Sequence, residues 1–74
     1  FNGYGTDVNK TKAFELFQKS ASLGYCFAMN NVGNCYRYGW GVTKNLNKAK
    51  EWYTKAAAQG DKDAQTALDE LNAQ

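Results

Sequence analysis

Displaced by thirty-six positions, this chain matches itself. Gly3-Tyr4-Gly5 falls on Gly39-Trp40-Gly41, Lys12-Ala13 on Lys48-Ala49 and Gly24 on Gly60. Asn9/Asn45, Glu15/Glu51, Lys19/Lys55, Ala21/Ala57 and Ala28/Ala64 also coincide, which makes ten identities without a gap. Tyr4/Trp40 and Phe17/Tyr53 agree in type. A period of this length describes one supersecondary unit copied and stacked, because a single copy cannot bury its own apolar face. The fold must therefore be an array, and an array favours surfaces over enclosed reaction centres.

With 74 residues there is room for one small domain whose stability is marginal. Nine basic against seven acidic residues leave a charge of +2, too small and too mixed to argue for nucleic acid or an anionic membrane as partner. There is no apolar run long enough for a membrane span. The absence of His excludes a His-based triad and His metal ligation within these residues.

Cys26 and Cys35 invite a disulfide, but geometry argues against it. On one helix, nine residues apart, they would be separated by about 13 Å along the axis, whereas a bridge needs Cα atoms within about 7 Å. Two unpaired thiols favour a reducing, cytoplasmic setting.

Each copy reads as helix, short turn, helix and Gly-rich turn. In the second, Asn45 is the expected N-cap of a helix with Leu46, Ala49, Trp52, Tyr53, Ala56 and Ala57 at amphipathic spacing, and Gly60 ends it. Asp61 then caps a helix with the stripe Ala64, Ala67, Leu68 and Leu71. In the first, Asn9 is the expected cap, the buried face is Ala13, Leu16, Phe17, Ser20 and Ala21, and Gly24 is the stop. The second helix carries Ala28, Met29, Val32, Gly33, Cys35 and Tyr36. Small residues recur where axes should cross, and Phe17, Tyr36, Trp52 and Tyr53 fill the wider gaps.

The run Ala28-x-x-x-Val32-Gly33-x-x-Tyr36-x-x-Gly39-x-Gly41-Val42, followed by Lys48-Ala49-x-x-Trp52-Tyr53-x-Lys55-Ala56-Ala57-x-Gln59-Gly60-Asp61-x-x-Ala64-Gln65, resembles a Sel1-like repeat. The resemblance implies an all-α, tetratricopeptide-like α-solenoid segment of two stacked helix-turn-helix repeats, four helices in all. Residues 1–5 read as the tail of a preceding repeat, 6–38 as the first hairpin and 39–74 as the second. Asp69 and Asn72 stand at the positions of Gly33 and Tyr36, so the last helix reads as a polar C-terminal cap. Further repeats of the same chain are expected upstream.

Sel1-like proteins mostly serve as adaptors, so the resemblance implies a non-catalytic protein-protein interaction scaffold within a larger protein, binding a protein or peptide. An accessory arm of a multidomain signalling enzyme such as a kinase is the alternative. A secreted, cysteine-rich Sel1-like hydrolase ranks third, because the second copy has no Cys. No catalytic, cofactor-binding or metal-binding residue is assigned. Gly39-Trp40-Gly41 lacks the rest of a phosphate loop, Asp61 and Asp63 suit a helix cap better than a cation, and neither Cys has a base to activate it. The candidates for partner contact are the variable residues on the first helix of each copy: Phe14, Gln18 and Ser22, then Lys50, Thr54 and Ala58. Arg37, with Asn30 and Asn34, forms a fringe. Phe14 stands out because its counterpart Lys50 is polar; it is expected to pack on a preceding repeat or to be a binding hot spot.

Overall fold

The computed structural model describes the backbone of residues 3–73 and the side chains of residues 10–73, and these form four helices: α1 (Gly3–Ser22), α2 (Cys26–Tyr38), α3 (Leu46–Ala58) and α4 (Lys62–Asn72). The principal contacts run α1 to α2, α2 to α3 and α3 to α4, the neighbour-on-neighbour pattern of an all-α solenoid. No strand occurs among the described residues.

The second hairpin is built by its caps. The Asn45 side chain accepts the Lys48 N–H at 3.1 Å, and the Asp61 carboxylate accepts those of Asp63 and Ala64 at 2.9 and 3.2 Å. Each satisfies donors that a helix start would leave open. At the other end of α1 and α3, Gly24 and Gly60 take φ values of 97° and 98°, a left-handed conformation that costs glycine nothing.

The centre of the fold is the crossing of α2 and α3. Val32, Ala49, Tyr53, Ala56 and Ala64 are fully buried there. Gly33 lies flat under the Tyr53 ring: a Cβ built on it would stand 2.6 Å from the ring's Cε1. Glycine at this position is thus the condition for the ring to lie between the two axes. The Tyr53 hydroxyl donates to Asn34 Oδ1 and accepts from Arg37, so the ring's polar end is satisfied within the fold.

Helix α1 departs from the sequence reading in two ways. It continues from Gly3 through Asn9, so Asn9 lies inside the helix and does not start it, and residues 3–5 belong to α1. The corresponding Gly39–Asn45 stretch is a turn because Trp40 N–H and Asn45 N–H bond the Cys35 and Tyr36 carbonyls at the end of α2, at 2.9 and 2.8 Å. Phe1 and Asn2, the rest of the expected tail, lie outside the described residues. The second departure is the phase of the buried face. Phe14 is only 7% exposed and meets the edge of Tyr36, with centroids 5.4 Å apart and planes at 83°, while Leu16 is 65% exposed. Phe14 is therefore a core residue and not a surface contact: it packs on α2 of its own hairpin. The core stripe of α1 is Phe14, Phe17 and Ala21.

The start of α2 differs from that of α4. Its N-cap, Tyr25, makes no side-chain capping bond, whereas its counterpart Asp61 makes two. Tyr25→Asp is expected to stabilise the fold by about 1 kcal/mol, read as a higher midpoint in thermal unfolding. Gly33→Ala should do the reverse, because the fully buried Tyr53 ring cannot move aside. A loss of about 2 kcal/mol is expected, measured as a lower urea midpoint with an unchanged slope.

Candidate functional site

The surface residues of α1 and α3 occupy corresponding positions at four-residue spacing, one turn apart on each helix. Gln18 is half-buried and Ser22 exposed on α1; on α3, Lys50 is half-buried and Thr54 and Ala58 are exposed. Ser22 Oγ donates to the Gln18 carbonyl at 3.0 Å and Thr54 Oγ1 to the Lys50 carbonyl at 2.7 Å. Both hydroxyls are thus turned back onto their own helix, leaving methyl and methylene surface outward. Phe14 drops out of this set, being buried.

The fringe on α2 is largely committed to the fold. Arg37 Nη2 reaches Glu70 Oε1 on α4 at 2.9 Å and also donates to Tyr53. Burial opposes its charge, but these bonds outweigh that and hold its pKa above the ordinary arginine value. With only 16% of its side chain exposed, Arg37 clasps α2 to α4, so its assignment as a free contact residue is corrected. Asn34 is occupied by Tyr53, and Asn30 Oδ1 is buried.

Around the turn between the hairpins, Tyr38 and Trp40 stack with centroids 4.8 Å apart, and the Arg37 guanidinium lies 5.3 Å from the Tyr38 ring centre. Gly41 tucks this turn against α1, so close that a Cβ would meet the Lys10 carbonyl. Lys55 lies over Trp52 at 4.5 Å and Lys48 over Tyr36 at 5.6 Å, which pins these ammonium groups to the aromatic framework.

Sequence reasoning missed a second surface. Leu23, Tyr25 and Phe27, at the turn from α1 to α2, are 71%, 62% and 72% exposed. Together with Leu16, Phe17, Ser20 and Ala28, Tyr25 and Phe27 line an open apolar groove of about 390 Å³. The signal was present in the self-match: their counterparts are Gln59, Asp61 and Asp63, all polar.

Both cysteines are free. Cys35 lies in the core, and burial pushes its thiol pKa up; Cys26 is half-exposed at the start of α2. A thiol titration is expected to find one group reactive in the native protein, Cys26, and a second only after denaturation. Among the described residues no three of His, Cys, Asp and Glu are grouped to hold a metal ion, and no helix is long and apolar enough to cross a membrane.

The model of the Sel1 repeat matches residues 1–25 and 26–61. The second segment spans thirty-six positions, the period of the self-match, and is phased to begin with α2. Among curated proteins, the chain is 35% identical over 66 residues to chitin synthase regulatory factor 3 of Schizosaccharomyces pombe, covering 88% of this chain and 7% of that protein. It is 45% identical over 61 residues to DAP3-binding cell death enhancer 1 of Rattus norvegicus, covering 82% and 12%. Chitin synthase regulator SKT5 of Saccharomyces cerevisiae is 33% identical over 58 residues, covering 78% and 8%. The chain thus spans a small part of the length of these relatives. No solved structure matches it.

Proposed function

The chain belongs to the Sel1 repeat family, and we propose that it is a non-catalytic scaffold segment that holds a protein or peptide partner against the outward faces of α1 and α3. The names of the relatives support this reading: two are regulators of chitin synthase and one is described by its binding to DAP3, so each is defined by acting on or binding another protein. The observation that carries the proposal is the division of labour among side chains. Tyr53, Gly33, Val32 and the alanines build the crossing and Arg37 ties it to α4. Gln18, Ser22, Lys50, Thr54 and Ala58 take no part in that crossing, and they differ between the copies while the alanine pairs Ala13/Ala49, Ala21/Ala57 and Ala28/Ala64 are kept.

Partner contact of this kind rests on a few well-packed side chains inside a rim that excludes water. The enzyme-arm alternative draws no support from the relatives' names, none of which describes a kinase. A reducing, cytoplasmic setting belongs to the same proposal, supported by the free Cys26 and Cys35.

The pair Lys50→Glu and Thr54→Arg is expected to weaken a captured partner by roughly tenfold, equivalent to about 1.4 kcal/mol, with helicity and melting temperature unchanged. The affinity of each variant for that partner, measured by titration calorimetry beside circular dichroism, checks it. Unchanged affinity in a folded double variant would remove the α3 face from the reading.

A further inference from the structure

No further inference is drawn: the strongest candidate, the open apolar face of α1 lined by Leu16, Phe17 and Ser20, matches through Phe17/Tyr53 and Ser20/Ala56 the face of α3 that α2 buries, so its cover is a stacked hairpin, which restates an established property of the repeat family.

Discussion

The fold depends on one ring lying on one missing side chain. Tyr53 is fully buried between α2 and α3 because Gly33 has no Cβ, and the alanines at 49, 56 and 64 allow the neighbouring axes to close around it. Its hydroxyl is tied to Asn34 and Arg37, and Arg37 in turn reaches Glu70 on α4. A single aromatic side chain thus couples three helices, with hydrophobic burial supplying most of the stabilisation. The ion pair to Glu70 adds little by itself, since that carboxylate is more than half exposed. Burial also raises the Tyr53 pKa, so the neutral phenol is the form the fold accepts. The unfolded chain gives up that proton first as pH climbs past the ordinary tyrosine value, and stability declines from there upward.

The two copies have solved the same packing problem with different surfaces. Where the second invests in local helix stability, through Asp61 and its two backbone bonds, the first leaves the helix start uncapped and places Tyr25 and Phe27 in water. Loss of a cap is a real cost in a domain of this size. A sequence that departs from local consistency at one place while keeping it elsewhere tends to do so where function is located.

Much of this was legible in the residues. The caps at Asn45 and Asp61, the stops at Gly24 and Gly60, the close crossing at Gly33 and the free state of the thiols each follow from a local rule with few competing outcomes. The phase of α1 did not. Phe14 and Leu16 are both apolar and lie on nearly opposite sides of a helix, so periodicity admits either as the inward residue; the Tyr36 ring on α2, edge-on to Phe14, decides the matter. The turn at Gly39 is closed by the Cys35 and Tyr36 carbonyls, and partner carbonyls are invisible to a motif. Arg37 looked like a surface residue because nothing local announces an ion pair formed across thirty-three positions.

Each helix leans chiefly on those beside it in the chain. Such a stack has no centre that every part must agree with, and a disturbance at one layer is felt by the next and fades beyond it. Substitutions at the turn into α2 therefore leave α4 untouched, and one edge of the molecule is free to be rewritten for a new neighbour while the remainder keeps its shape. In a closed globule the same rewriting would have to be negotiated with the whole core; here it is settled within a single hairpin.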